Sequence, residues 1–515
     1  MKFSDTPLPN IRRQFFTALV LGVVATPGFL PVGEWCAWIA YPASCLPILA
    51  SSGLIALWQR APGGQAAFML GFAFGLGLFG GGIYWIIIAL TTFGGMAIGV
   101  AIFVMAVLIA YLSLYPALVG YIAVRFFDGT KRLFVFPALW GFSELLRGWL
   151  LSGFPWLSLG YAQALPSPLA GYIPLGGVYF AGVISMVISV CLVSMLSRNN
   201  LKIIAGATVI AVIHIVGFWL TQIEWTYPTE KSLAVSLIQG NVPQNIKFDL
   251  AFRDETYTRY RKWTEQSQGR LVVLPESAFP DFADMVPDEE VVALREMGVK
   301  RNTDFLVGMF TRRFDPDKAR EEYFNSVVSI GASQTQLYRK RHLVLFGEKI
   351  PLEDWIAPIM NALIAIPLAG QSSGDDQQPP FAVAGERVGI SICFEDAFGA
   401  EQIERARAST LLANFTNDAW YGRSIAAWQH HRIASMRALE SGRPLLRATN
   451  TGITSIINHR GQVVARLPWF EEGILEGEVT GRSGNTPYLR WGDWLAFYFL
   501  LTLLLIALIG RKRRE

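Results

Sequence analysis

Of the four cysteines in this 515-residue chain, three (Cys36, Cys45 and Cys191) lie in strongly apolar runs, where a cysteine is ordinarily a small hydrophobe. Cys393 alone sits in the hydrophilic central region, so that region can form no internal disulfide. Its surroundings, Arg387-Val388-Gly389-Ile390-Ser391-Ile392-Cys393-Phe394-Glu395-Asp396, begin as a short β-like run and then turn acidic. That places the thiol at the C-terminal end of a strand, where open α/β sheets carry their chemistry. A thiol of ordinary pKa is mostly protonated at neutral pH and needs a base. The tetrahedral oxyanion it creates needs a cation or backbone N–H donors. Two other segments offer these groups. The apolar run Leu271–Leu274 stops at Pro275-Glu276-Ser277, and the stretch Tyr338–Glu348 carries Lys340 and Glu348. Singly, each has a plainer reading: a solvated acid in a turn, a surface lysine, a cysteine buried in a core. Together Glu276, Lys340 and Cys393 supply base, cation and nucleophile without a histidine, a metal or a cofactor.

The elements that must position these residues divide the chain unevenly. The composition is 52% hydrophobic and 16% charged, against about 25% charged in soluble globular proteins. Apolar residues crowd into the first ~225 and the last ~25 positions, the pattern of membrane spans around a water-soluble domain. Windows of about 19 residues give apolar stretches at 14–31, 35–58, 66–92, 96–124, 133–151, 172–196, 203–222 and 491–510. Arg12, Arg13, Arg60, Arg125, Lys131, Arg132, Arg198, Lys202 and Arg511–Arg514 flank these stretches, all on one side. By the positive-inside rule both termini are cytoplasmic and the hydrophilic region faces outward. The expected organisation is a membrane domain of seven helices over residues 1–225, an exported domain over 226–485, and a returning helix with a basic cytoplasmic tail over 486–515. The net charge of +4 is small and its basic residues punctuate apolar runs, so nucleic-acid binding is excluded.

Several features of the apolar half invite other readings. Arg12-Arg13 before an apolar run resembles a twin-arginine export signal, but six further spans make an anchor helix the better reading. The glycines Gly75, Gly77, Gly80, Gly81 and Gly82 lack the lysine of a phosphate loop and suit close helix packing in lipid. Glu144 and Arg147 stand at i and i+3 in an otherwise apolar run: they either fix helix packing or line a polar cavity that receives a lipid headgroup. The run ends in Gly153-Phe154-Pro155-Trp156, whose aromatics suit a membrane interface. In the central region, Trp355–Leu368 is too apolar for an ordinary loop; a membrane-lying lid and a buried helix both fit it. The Gly370–Gly374 stretch after it has a flexible composition.

Leu274-Pro275-Glu276-Ser277, Tyr338–Lys340 with Phe346-Gly347-Glu348, and Ile392-Cys393-Phe394-Glu395 resemble the Glu-Lys-Cys signature of the nitrilase superfamily. Asn417-Asp418-Ala419-Trp420, Arg437-Ala438-Leu439-Glu440 and Arg443-Pro444 agree in order and spacing, and Thr92–Met96 looks like part of the membrane portion. With its spans, the whole chain is similar to the bacterial apolipoprotein N-acyltransferase family. The resemblance implies a multi-pass helical membrane domain plus an α/β nitrilase-like domain, an αββα sandwich, in the bacterial inner membrane with the catalytic domain periplasmic. It implies transfer of an acyl chain from a phospholipid, through a thioester on Cys393, to the N-terminal amine of a diacylglyceryl apolipoprotein. Glu276 is then general base, Cys393 nucleophile and Lys340 the oxyanion's cation, helped by the Phe394 N–H, with Glu348 and Glu395 holding the lysine and shaping the site. Glu144, Arg147, Trp156 and Trp420 are expected to contact substrate. Leu345 stands where relatives usually have proline and Phe394 where many have tyrosine, which affects loop geometry and a hydroxyl contact. A membrane-anchored amidase would use the same three residues. A transporter would need a matching repeat of interrupted helices, which the sequence lacks.

Overall fold

The computed structural model describes residues 11–30, 39–197, 199–317, 319–350 and 370–509. Cys36, the segment Trp355–Leu368 and the basic tail Arg511–Arg514 lie outside the described residues. The chain forms two compact units. One comprises Met1–Tyr84, Ile102–Ile223 and Asp493–Glu515, the other Trp85–Ala101 and Glu224–Gly492.

The first unit is helical because its sequence leaves little else: long apolar runs must satisfy their backbone polar groups internally. Helices cover Ile11–Ala25, Ala40–Arg60, Gly64–Gly82, Ile98–Phe126, Arg132–Arg147, Ile173–Met195, Asn200–Gln222 and Trp494–Ile509, one overlapping each expected stretch. Five are long and apolar enough to cross a membrane: Ala40–Arg60, Gly64–Gly82, Ile98–Phe126, Pro168–Met195 (counting the preceding helical turn) and Asn200–Gln222. Ile11–Ala25, Arg132–Arg147 and Trp494–Ile509 are shorter, at 15, 16 and 16 residues. The expected stretch 66–92 is corrected: the helix stops at Gly82, and Trp85–Ala101 packs into the other unit. Three consecutive glycines, Gly80 to Gly82, weaken the helix there. The glycine run does serve close packing. A Cβ on Gly77 would lie 2.0 Å from the Leu19 carbonyl oxygen, and one on Gly22 2.1 Å from that of Phe74. Helices Ile11–Ala25 and Gly64–Gly82 thus meet backbone to backbone.

The second unit contains, among the described residues, strands β1 (Tyr227–Gln239), β2 (Leu271–Val273), β3 (Asp304–Asp315), β4 (Arg320–Gly331), β5 (Leu337–Arg339), β6 (Phe381–Val383), β7 (Glu386–Ile392), β8 (Leu411–Thr416), β9 (Leu445–Thr449), β10 (Ser455–Ile457), β11 (Val463–Arg466) and β12 (Gly473–Ser483). They form two six-stranded sheets, in the orders β12-β1-β2-β3-β4-β5 and β11-β10-β9-β8-β7-β6. The central strands β1-β2-β3 and β7-β8-β9 run parallel within each sheet. Parallel strands are buried on both faces and read as near-continuous apolar runs; β2 is apolar throughout, and β8 is apolar but for Asn414 and Thr416. Leu271 and Val273 of β2 face Leu411, Ala413 and Phe415 of β8 in one core between the sheets. Val272 points outward against Tyr257, Tyr260 and Leu294 of helices Arg253–Gln266 and Asp288–Arg301. Leu412 packs outward on Ala406, Ala434 and Ala438 of helices Gly399–Ala408 and Ala426–Ser441. The layers are helix, sheet, sheet, helix, the expected αββα sandwich.

Candidate active site

Each expected chemical group stands just past the end of a strand. Glu276 follows β2, Lys340 follows β5 and Cys393 follows β7, opening a short helical turn Cys393–Ala397. All three are buried, with 8%, 1% and 7% of their surface exposed. Cys393 is held at φ +51°, with Ser277 next to Glu276 at +49° and Phe346 next to Gly347 at +63°. Non-glycine residues in this region cost roughly 1–3 kcal/mol each and persist only where surrounding contacts enforce them. Close approach also shapes the Glu276 segment: a Cβ on Gly308 of β3 would lie 2.3 Å from the Pro275 carbonyl oxygen, so only glycine lets that segment cross the strand.

The lysine is fixed at both ends. Its backbone N–H donates to the Asn325 carbonyl (2.8 Å) and its carbonyl accepts from Gly374 N–H (2.8 Å). Its ammonium donates to Glu348 Oε1 at 2.7 Å, and Glu348 Oε2 accepts the Val344 N–H at 2.9 Å. Burial opposes the lysine's charge, yet Glu348, Cys393 and Glu276 together raise its pKa above the ordinary value. Glu395 acts one step away, on the backbone beside the lysine. Its Oε1 accepts from the Tyr338 hydroxyl (2.9 Å), Arg341 N–H (2.8 Å) and His342 N–H (3.2 Å), while its Oε2 accepts from Ile392 N–H (2.6 Å). This one carboxylate ties the segment after β5 to the end of β7. Phe394 packs its ring against His342 and Phe398.

Burial pushes the Cys393 thiol well above its usual range, the Glu276 carboxylate adds to this, and Lys340 works against it. Burial likewise raises Glu276, with Lys340 opposing. The thiol, the carboxyl and the ammonium are thus close enough to shift one another's proton affinity. A neutral thiol within electrostatic reach of a carboxyl whose proton affinity is raised can pass its proton to that group as the sulfur attacks.

Three groups of this centre escaped the sequence reading. Asn325 on β4 donates its amide to Glu276 Oε1 at 2.7 Å, and its own Oδ1 is buried without a partner. Lys247, 1% exposed, donates to the Glu276 backbone carbonyl at 2.8 Å. Burial lowers its pKa to about 8, against the pull of Glu276 and Cys393. His430 stands behind Cys393 with Asp396, Asp418 and Arg447. A lone lysine in a polar loop gives no sequence signal. Two adjacent histidines, His430-His431, out of five in the chain were a signal left unused. Among the described residues no cluster of three or more His, Cys, Asp and Glu side chains is placed to hold a metal.

Trp420 follows Asp418 in a short helical turn and packs edge-on against Phe93, 5.6 Å between ring centres, while Tyr421 packs on Trp85 at 4.6 Å. Glu144, Arg147 and Trp156 belong to the other unit, where they form a cluster of their own. Arg147 donates to the carbonyls of Phe154 (2.7 Å) and Trp156 (2.5 Å) and to Ser158 Oγ (2.9 Å). Glu144 Oε1 accepts from Trp140 Nε1 (3.0 Å) and Leu159 N–H (2.9 Å), and its Oε2 is buried without a partner. Both are 3% exposed and Trp156 is 2% exposed, so Trp156 is a core residue rather than the interface aromatic expected.

The model of the apolipoprotein N-acyltransferase N-terminal domain matches residues 21–191, and that of carbon-nitrogen hydrolases matches residues 236–488. The chain is 40% identical over 513 residues to the apolipoprotein N-acyltransferase of Nitrosomonas europaea, covering 97% of this chain and 99% of that protein. It is 40% identical over 520 residues to that of Ralstonia nicotianae, covering 98% and 95%. A solved carbon-nitrogen hydrolase from Helicobacter pylori aligns with a TM-score of 0.34 at 16% identity, covering 54% of this chain and 99% of that one. With two relatives of this identity matching it along nearly its whole length, the chain belongs to the apolipoprotein N-acyltransferase family.

Proposed function

We propose that this multi-pass membrane protein transfers an acyl chain from a phospholipid, through a thioester on Cys393, to the N-terminal amine of a diacylglyceryl apolipoprotein. The observation that carries this reading is the burial of Glu276, Lys340 and Cys393 as one electrostatically coupled centre, built from the strand ends of two sheets. In the first half, Glu276 takes the thiol proton as sulfur attacks the ester carbonyl. Lys340 and the Phe394 N–H receive the oxyanion, and collapse expels the lysophospholipid, which leaves with that proton. In the second half the acceptor's amine attacks the thioester, Glu276 removes its proton, and the thiol is restored. Glu348 holds the ammonium and Glu395 the backbone around it. Trp420, packed edge-on against Phe93, is the side chain we assign to meet the acyl chain. The internal partners of Glu144, Arg147 and Trp156 favour packing over headgroup binding.

We take residues 1–225 as the membrane domain, 226–485 as the catalytic domain, extended by Trp85–Ala101, and 486–515 as the returning helix and tail. The charge pattern supports an inner-membrane protein with the catalytic domain periplasmic; reporter fusions after Gly240 should read as external and after Arg513 as cytoplasmic. The chemistry is tested by incubating the full-length protein with chain-labelled phospholipid. A hydroxylamine-sensitive label on Cys393 is expected, cleared by a diacylglyceryl-cysteine peptide far faster than by water. Clearance by water at the same rate would favour an amidase-like hydrolase.

A further inference from the structure

Behind the thiol, four charged side chains close a ring. His430 Nδ1 lies 2.8 Å from Asp418 Oδ1 and its Nε2 lies 3.0 Å from Asp396 Oδ1. Arg447 joins the same two carboxylates, at 3.0 Å to Asp396 Oδ2 and 3.4 Å to Asp418 Oδ2, and donates to Asn414 Oδ1 at 2.6 Å. All four are 1% exposed or less. A neutral imidazole has a single N–H, so it would turn a lone pair toward one of these carboxylates; only the imidazolium can donate to both. With His430 charged, two cations balance two anions.

The ring also grips the nucleophile's backbone. His430 Nε2 lies 3.2 Å from the Cys393 carbonyl oxygen, and Asn414 Nδ2 lies 3.4 Å from the same atom. A trans peptide unit is planar, with its C=O and the following N–H pointing opposite ways. Holding the Cys393 oxygen from behind therefore turns the Phe394 N–H to the other side. Cys393 at φ +51° would not rest there unheld, and Asp396 belongs to the same turn, so the ring holds that turn at two points. We propose that His430, clamped as an imidazolium between Asp396 and Asp418, is the positioning residue that sets the Cys393–Phe394 peptide plane and so completes the oxyanion hole begun by Lys340. This rests on the thioester reading above.

The groups facing His430 are Asp396 from the turn after β7, Asp418 from the turn after β8 and Arg447 from β9, with His431 beside it on its own helix. Burial and Arg447 disfavour its charge, but the two carboxylates outweigh them and raise it to about 9. Above that pH one N–H is lost and one clamp opens.

Two measurements on the full-length protein test this. In the histidine-¹⁵N spectrum, the one set of ring signals that vanishes in His430→Gln while the other four histidines keep theirs should be that of an imidazolium at neutral pH; a neutral ring there would overturn the inference. The rate of Cys393 acylation by labelled phospholipid should fall as pH rises through about 9. Asp418→Asn, which removes one clamp, should move that fall down by about one pH unit or more. His430→Gln should acylate about tenfold or more slowly, with the apparent KM for phospholipid unchanged. Acylation in His430→Gln at the wild-type rate and with the wild-type pH profile would sink the inference alone, whereas no acylation of the wild type would sink the thioester reading.

Discussion

Each unit buries an acid and a base whose side chains lie close in sequence, and the two arrangements spend their hydrogen bonds differently. Arg147 gives its planar fork to two backbone carbonyls and a serine hydroxyl, so the guanidinium is committed to the shape of the loop Phe154–Ser158. Lys340 gives one donor to Glu348, and an ammonium has three that rotate freely. The first base is satisfied by atoms that are always present. The second retains donor capacity, which the proposed mechanism assigns to the oxyanion. Burial by itself therefore does not mark a functional ion; what matters is whether its partners exhaust it.

The sharpest way to break this contrast is to remove the groups assigned to chemistry and see whether turnover survives. Cys393→Ala should lower acyl transfer by about 10⁴-fold or more and abolish the labelled adduct; transfer at a tenth of the normal rate would mean another nucleophile. Glu276→Gln and Lys340→Met should each cost about 10²- to 10³-fold in adduct formation while leaving folded protein abundant. For Glu276, whose pKa burial raises, the carboxylate must be ionised to act as base, so the acid limb of the rate should lie above that of an ordinary carboxylate. Lys247→Met should cost about tenfold. In the native protein that lysine loses its charge as pH rises through about 8, so its help to the thiolate should fade there, and the variant's profile should lack this step. At the other end, Arg147→Ala should leave the KM for phospholipid unchanged in the molecules that fold. Its stability should drop by on the order of 3–5 kcal/mol, the cost of breaking a buried charged network, seen as less protein in the membrane. A raised KM with normal abundance would return the pair to headgroup binding.

The sequence carried the layers and the chemical groups better than the supports. Leu271–Leu274 was legible as a strand because a continuous apolar run that stops at Pro275-Glu276 has few alternatives, and Val388–Ile392 because its β-branched residues alternate with Gly389 and Ser391 before the chain turns acidic. The neighbouring Glu276 and Cys393 could then be placed at strand ends. Asn325 and Lys247 were hidden because nothing local distinguishes an amide or a base that is buried by residues dozens of positions away; the pair His430-His431 is visible in the sequence, but nothing local shows that Asp396, Asp418 and Arg447 surround the first of them. The hydropathy window ran through Gly82 to residue 92 because it averages over composition and does not register that consecutive glycines end a helix. The role of Glu144 and Arg147 stayed open for the same kind of reason: pattern gives their shared helix face, but not the carbonyls of Phe154 and Trp156 that occupy the guanidinium.

That misread stretch has a consequence for how the protein comes into being. The Trp85 indole donates to Gln429 Oε1 at 3.0 Å across 344 residues of sequence, and Gln429 adjoins His430. At about 5–20 residues per second, a ribosome needs roughly 20–70 s to deliver the partner after Trp85 has emerged. During that interval Trp85–Phe93, with its indole and aromatic rings, must wait without the fold it belongs to. A polypeptide begun at Glu224 would never acquire it, so the catalytic unit cannot be excised as one continuous piece.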